Sequence, residues 1–307
     1  MRIGVDLGGT KIEVMALDDG GVILARERVA TPKNDYAATV AAIGGLVLAT
    51  EAKLKLRGSV GIAIPGTISA VTGLVKNANS TGLIGHPLDA DLARALGRPV
   101  RVANDANCFA LSEATDGAAA GKDVVFGIIA GTGVGGGVCV GGRVLNGAHG
   151  IAGEWGHNPL PWPRDGELPG PRCYCGRQGC IEAWCSGPSV EREYAATAGR
   201  QVSAADIAKD AAGGDPTARA AMAVFYDRFA RAIATLVNIL DPDAIVIGGG
   251  LSNIDALYEE LSGRVEHYAF TTEAPPLIVK NVHGDSSGVR GAAWLWHRDE
   301  VPAGLPQ

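Results

Sequence analysis

Several short stretches of this chain combine residue types that could do chemistry. Asp6-Leu7-Gly8-Gly9-Thr10-Lys11 lies between two apolar runs. Its glycines (Gly8, Gly9) let backbone amides approach an oxyanion, Thr10 adds a hydroxyl donor and Lys11 a cation. Asp6, at the end of an expected strand, could hold Mg2+ through water, because hard cations take oxygen ligands. The same residues could equally form a plain polar hairpin turn. Gly131-Thr132-Gly133-Val134-Gly135-Gly136-Gly137 repeats the theme with five glycines in seven residues. A two-residue hairpin turn requires only one or two residues at positive φ, so the excess is expected to wrap backbone around phosphate; a glycine-rich bulge is the competing reading. Neither stretch is a Walker loop or a G-x-G-x-x-G turn from strand to helix, which excludes P-loop and Rossmann assignments.

A third stretch, Asn104-Asp105-Ala106-Asn107, falls where a strand gives way to a helix. Asp105 there is either an ordinary helix cap, the commoner role, or a general base acting on an alcohol at the carboxyl end of a strand. A fourth group, His157 with Cys173, Cys175 and Cys180, is separated by fifteen, one and four intervening residues. One imidazole and three thiolates form a four-ligand set for structural zinc. Gly176 and Gly179 supply the tight turns that closely spaced ligands require, and the neighbours are Pro, Arg and Gly rather than aliphatic core residues. Finally, Glu154 and Glu182 flank this group, either as surface carboxylates or as acceptors for vicinal sugar hydroxyls.

The elements that must position these residues follow from periodicity. Strands are predicted at 3–7, 12–17, 22–29, 59–64, 100–102, 124–130, 138–140 and 244–247. Helices are predicted at 36–53, capped by Asp35, near 88–96, from about 106 to 118, at 215–240, and near 255–267 and 288–296. Strand, Gly/Thr turn and strand occur at residue 3 and again at residue 124, a weak internal repeat implying two lobes on one plan. Residues 146–186 read as irregular. The fold class is therefore α/β, with sheets covered by helices.

Composition bounds the rest. The 307 residues carry 27 basic and 33 acidic side chains, a net charge of −6. This is an ordinary globular balance with no basic field for nucleic acid or anionic lipid. Glycine is the outlier at 44 residues, about twice average usage. Met1-Arg2 runs straight into apolar residues, leaving no room for a signal peptide, and the apolar runs are broken short of the roughly 20 residues of a membrane span. A cytoplasmic enzyme is expected, and clustered cysteines there suggest metal before disulfide.

The motifs DLGGTK at 6–11, NDAN at 104–107, GTGVGGG at 131–137, EWGH at 154–157, CYCGRQGC at 173–180 and IGGG at 247–250 occur in an order that resembles the ROK family of sugar kinases and repressors. The similarity runs from about residue 2 to 297. It implies a two-lobed actin/hexokinase/Hsp70-like ATPase fold with ribonuclease H-like lobes, divided at 1–118 and 119–307, the last helix packing back on the first lobe. The stretches Val75–Ser80, Glu154–Pro161 and His283–Trp296 look closest to bacterial fructokinases.

This resemblance implies ATP-dependent phosphorylation of a hexose 6-hydroxyl, fructose first, with N-acetylglucosamine, mannose and glucose behind. Asp105 would be the catalytic base, and Asn104, Glu154, His157 and Glu182 would surround the sugar. Thr10, Lys11, Thr132 and Gly133 would face the ATP phosphates, with Gly8, Gly9 and Gly131 in the same turns. Gly248, Gly249 and Gly250 would lie near the adenosine, Asp6 would orient Mg2+, and structural Zn2+ would take His157, Cys173, Cys175 and Cys180. A homodimer is expected from the family. The family's repressors carry a helix-turn-helix ahead of the sugar domain, and DLGGTK beginning at residue 6 speaks for a kinase.

Overall fold

The computed structural model describes residues 1–78, 81–297 and 300. Asn79 and Ser80, the end of the Val75–Ser80 stretch, lie outside them. The opening alternation of aliphatic residues forms β1 (Arg2–Leu7), β2 (Lys11–Leu17) and β3 (Ile23–Ala30). Helix α1 (Tyr36–Leu54) starts where the Asp35 carboxylate accepts a hydrogen bond from Ala38 N–H and ends at Lys55 in the left-handed region. There follow β4 (Ser59–Ile64), the small hairpin of β5 (Thr67–Ile68) and β6 (Val75–Lys76), α2 (Leu88–Leu96), β7 (Val100–Asn104) and α3 (Asp105–Thr115). The chain then forms β8 (Val124–Ala130), β9 (Val134–Val140) and β10 (Arg143–Val144), and after a long irregular stretch α4 (Ile181–Cys185), α5 (Gly187–Ala198), α6 (Ala204–Ala212) and α7 (Pro216–Leu240). It closes with β11 (Ala244–Gly248), α8 (Ala256–Tyr268), β12 (Leu277–Lys280) and α9 (Ser287–Trp294).

Two compact units result. One takes Met1–Gly121, Gly137–Ala152 and the described residues from Asp285 on, and the other takes Lys122–Gly136 and Gly153–Gly284. The division is thus not a single cut after residue 118. Residues 137–152 belong with the first unit because Gly137 lies against α3, where an added Cβ would overlap the Ala106 carbonyl.

In the first unit the strand order is β3-β2-β1-β4-β7, with β1, β4 and β7 parallel. The period of two decides which helix covers which face. Ile3, Val5, Val60 and Ile62 pack in one core with Ile43 and Val47 of α1 and Leu88 and Leu92 of α2. By length and composition α1 could span a bilayer, but its apolar face is spent on this core. On the opposite face, where Gly4 and Gly61 point, lies α9. A Cβ on Gly4 would overlap the Val289 carbonyl oxygen, one on Gly61 that of Ala292, and one on Gly291 that of Cys108 in α3. Helix α9 therefore touches both the sheet and α3 through bare backbone. A hydrogen bond and an ion pair fix its register: Ser287 Oγ donates to buried Glu113 Oε1 at 2.8 Å, and Arg290 Nε donates to Asp116 Oδ1 at 2.9 Å.

In the second unit β8 and β12 flank β11 in parallel. The buried stripe of α7, Met222, Phe225, Phe229 and Ile233, meets Trp155, whose ring lies 5.8 Å from Phe126 and 6.1 Å from Phe229. Arg231, buried on the same helix, donates to the Pro161 and Trp162 carbonyls at 3.0 and 2.8 Å and to Glu167. Burial acts to raise Glu167, but Arg231, the Arg164 amide and Arg228 outweigh it and hold the carboxyl at about 2. This pair anchors the excursion between His157 and Cys173 onto α7.

Glycines at contact and glycines in space should separate cleanly. Gly61→Ala is expected to cost on the order of 3 kcal/mol or more, because backbone must move to admit the methyl group. Gly45→Ala, on the exposed side of α1 with nothing within 4 Å of the new Cβ, is expected to stabilise by about 0.5–1 kcal/mol through helix propensity. Chemical denaturation of both variants checks the pair.

Candidate functional site

The parallel strands of the first unit end at one edge: Asp6 pairs with Ala63 and Ile64 with Asn104. That edge is where open α/β sheets present ligand-binding groups. Asn104 caps α3, its Oδ1 accepting from Ala106 N–H at 2.9 Å while its Nδ2 donates to the Gly66 carbonyl at 3.2 Å. The cap is thus Asn104, and Asp105 is the first helical residue, its Oδ1 2.8 Å from the same amide. Burial pushes the Asp6 carboxyl up to about 6, repulsion from Asp105 and Glu13 adds to it, and Lys11 opposes. Two carboxylates that repel one another at a strand edge suit a cation between or beside them.

The hairpin after Asp6 is closed by Gly8 N–H to Lys11 carbonyl at 3.0 Å and braced by Thr31 Oγ donating to the Gly8 carbonyl at 2.7 Å. Gly9, Thr10 and Lys11 are exposed. Lys11 Nζ lies 3.8 Å from Glu13, whose carboxylate Arg28 also holds at 2.7 Å.

In the second unit the turn between β8 and β9 is only Gly131-Thr132-Gly133; Gly135, Gly136 and Gly137 are strand residues. Two of these glycines have a packing cause: a Cβ on Gly136 would come within 2.7 Å of Phe126 and Trp155, and one on Gly137 would overlap the Ala106 carbonyl. Gly131 N–H donates to Gly133 O at 2.9 Å, and Gly187 N–H donates to Gly131 O at 2.8 Å. Gly249, at φ +82°, faces the end of β8, and a Cβ on Gly131 would sit 3.5 Å from Gly250 N. The structure thus brings 131–133 and 248–250 together.

His157, Cys173, Cys175 and Cys180 converge, their ligand atoms within 4.8 Å of one another. Cys173 Sγ is 3.5 Å from His157 Nδ1 and Cys175 Sγ is 3.6 Å from Cys180 Sγ. Tetrahedral zinc, with Zn–S about 2.3 Å and Zn–N about 2.0 Å, spaces its donors by about 3.3–3.8 Å, so the set fits. Burial and the neighbouring thiols push Cys180 up to about 12, so a bound cation would have to displace protons. On the other side of the imidazole, Nε2 lies 3.0 Å from Tyr174 Oη and 3.9 Å from Glu154. Sequence reasoning passed over Tyr174, whose only signal is its place between two of the cysteines. Glu182 is also more committed than expected: its Oε2 accepts from Val134 N–H at 3.0 Å, and its Oε1 lies 3.7 Å from Cys173 Sγ.

With this geometry in view, known proteins are informative. The ROK family profile matches residues 2–299. N-acetyl-D-glucosamine kinase of Vibrio cholerae is 44% identical over 299 residues, covering 96% of this chain and 99% of that one. A ROK hexokinase from Thermus thermophilus superposes with TM-score 0.84 at 34% identity, covering 96% of this chain and 97% of its own. A ROK glucokinase from Streptomyces griseus, in complex with glucose and AMPPNP, gives TM-score 0.72 at 30% identity, covering 95% and 97%. The fold is accordingly the actin-like ATPase fold. The chain belongs to the ROK family, as a sugar kinase.

The raised Asp6 carboxyl has a stability consequence. Its folded pKa lies above the ordinary value of 3.8, so the favourable contribution is complete below about pH 4 and is lost as pH rises through 6. Asp6→Asn is therefore expected to stabilise the metal-free protein at pH 8, by about 2 kcal/mol, and to leave it nearly unchanged at pH 4. Thermal denaturation at the two pH values, without divalent cations, checks this.

Proposed function

We propose that the chain transfers the γ-phosphoryl group of ATP to the 6-hydroxyl of N-acetyl-D-glucosamine. The observation that carries the choice of sugar is the nearly end-to-end identity to the Vibrio cholerae enzyme. Fructose, suggested by the local stretches, lacks that support and gives way to this alternative.

In this reading Asp105 accepts the hydroxyl proton as the new O–P bond forms and the bond to the bridging oxygen of ADP breaks. Its fixed place at the start of α3, beside the Asn104 cap, supplies the orientation such a base needs. Asn104, Glu154 and His157 would hold sugar hydroxyls, and Glu182 would share in this. Exposed Thr10, Lys11 and Thr132 would donate to the phosphates with Gly133, and Gly248–Gly250 would border the adenosine. Mg2+ entering with ATP would neutralise phosphate charge, with Asp6 as its protein anchor through water. Zn2+ on His157, Cys173, Cys175 and Cys180 would cross-link the irregular loop. A cytoplasmic homodimer is proposed with the rest.

A coupled ADP-release assay over N-acetylglucosamine, glucose, mannose and fructose tests the substrate. N-acetylglucosamine should show the highest kcat/KM by tenfold or more; a lead for fructose overturns the assignment. Under the same conditions Asp105→Asn should lower kcat on the order of a thousandfold with sugar binding still measurable by calorimetry. Near-normal turnover would remove Asp105 from the mechanism.

A further inference from the structure

The turn Gly131–Val134 is tied at both ends to one short segment of chain. Its first carbonyl, Gly131 O, accepts from Gly187 N–H at 2.8 Å, and its last amide, Val134 N–H, donates to Glu182 Oε2 at 3.0 Å. The carboxylate sits so close to the turn that a Cβ on Gly133 would lie 2.6 Å from it. Both partners follow directly on Cys180: Glu182 is in the first turn of α4, and Gly187 opens α5. Helix α4 has only five residues, far too few to hold a position alone. Its N-terminal end is fixed through Cys180, whose Sγ is 3.6 Å from Cys175; the Cys173 thiol donates to the other oxygen of Glu182 at 3.7 Å, a contact that a metal-bound thiolate would not make. With metal bound, the link would therefore run along the backbone from Cys180, two residues before Glu182, and Glu182 would carry it to the turn through the Val134 amide.

We infer that Glu182 is a positioning residue that transmits the order of the His157/Cys173/Cys175/Cys180 cluster to the nucleotide-binding turn, so that losing the metal is felt as lost nucleotide affinity. This rests on the kinase reading proposed above and adds that the metal site acts on the nucleotide side of the reaction as well as on the loop that carries it. The Val134 amide lies at the head of β9; deprived of its acceptor it must find another partner or remain unsatisfied. Either outcome lets the turn leave the conformation that presents Thr132 and Gly133.

The test is calorimetric binding of a non-hydrolysable ATP analogue with Mg2+, in the absence of sugar. The wild type, Glu182→Ala and Glu182→Gln are each measured zinc-loaded and after stripping with a chelator selective for zinc over magnesium. Loaded Glu182→Ala should bind about tenfold more weakly than the wild type with its zinc content unchanged, while Glu182→Gln, which keeps an oxygen acceptor, should stay within threefold. Stripping should weaken the wild type about tenfold and Glu182→Ala by less than twofold. If Glu182→Ala loses its zinc or its cooperative thermal transition, Glu182→Asp, which keeps the charge but not the reach, takes its place with the same outcomes. Wild-type affinity in the loaded variant, or equal weakening of both proteins on stripping, overturns the inference. Absence of nucleotide binding in the wild type would instead overturn the kinase reading on which it stands.

Discussion

The first unit depends on one contact: helix α9 lying with its backbone against the sheet and against α3. Gly4 and Gly61 remove the side chains that would keep the helix off the strands, and Gly291 removes the one that would keep it off Cys108. Dispersion falls steeply with separation, so an approach this close gains contact that larger residues could not supply. It also has a positional effect. A Cβ added to Gly288, at the start of α9, would stand 3.9 Å from the Asp6 carboxylate. Helix α3, whose first residue is Asp105, is clamped by the same helix. One packing event thus locates both carboxylates.

The second unit reaches order by a different route. Its irregular stretch from Gly153 to Cys180 is held largely by polar and cysteine contacts. Arg231 and Arg228 take Glu167 at 2.7 Å each. A buried pair of this kind gives little net stability but is costly to break from one side, so it acts as a fastener for the loop. Trp155 adds an apolar anchor and donates to the Gly135 carbonyl at 3.1 Å. The cysteine cluster closes the remaining end, and Glu182 carries that closure to the turn.

Most strands and long helices were legible because their apolar positions recur with a clear period. The stripe of α7 and the alternation of β1 and β4 are examples, and the capping of α1 by Asp35 followed from residue type, whereas the cap of α3 is Asn104 and not its neighbour Asp105. Helices α5 and α6 were not legible, since Val190 and Tyr194 in one and Ile207 in the other are too few apolar anchors to establish a period. The four-residue β12, following Pro275 and Pro276, gave no alternation to read. For the site, the His157–Cys180 cluster could be read from ligand types and spacing alone. What the strand glycines do could not: Gly136 is small because Phe126 and Trp155, distant in sequence, occupy its flank. Glu182 was legible as a carboxylate near the site, but its partner Val134 lies 48 residues away and is specified only by the fold.

Charge distribution sets Asp6 apart from three other carboxylates of the two units. Three buried or half-buried carboxylates are matched by guanidinium groups: Glu13 by Arg26 and Arg28, Asp116 by Arg290, Glu167 by Arg228 and Arg231. The matching holds Glu13 below its ordinary range even though burial acts to raise it, and it holds Glu167 at about 2. At Asp6 the balance has the opposite sign, since burial and a second carboxylate outweigh Lys11. A fold able to neutralise Glu13, on the neighbouring strand, leaves Asp6 poised against Asp105 instead. A buried carboxylate whose charge is opposed rather than matched costs stability. In the proposed kinase reading, Mg2+ entering with ATP would supply the missing positive charge at this edge of β1, β4 and β7, and stability there would give way to chemistry.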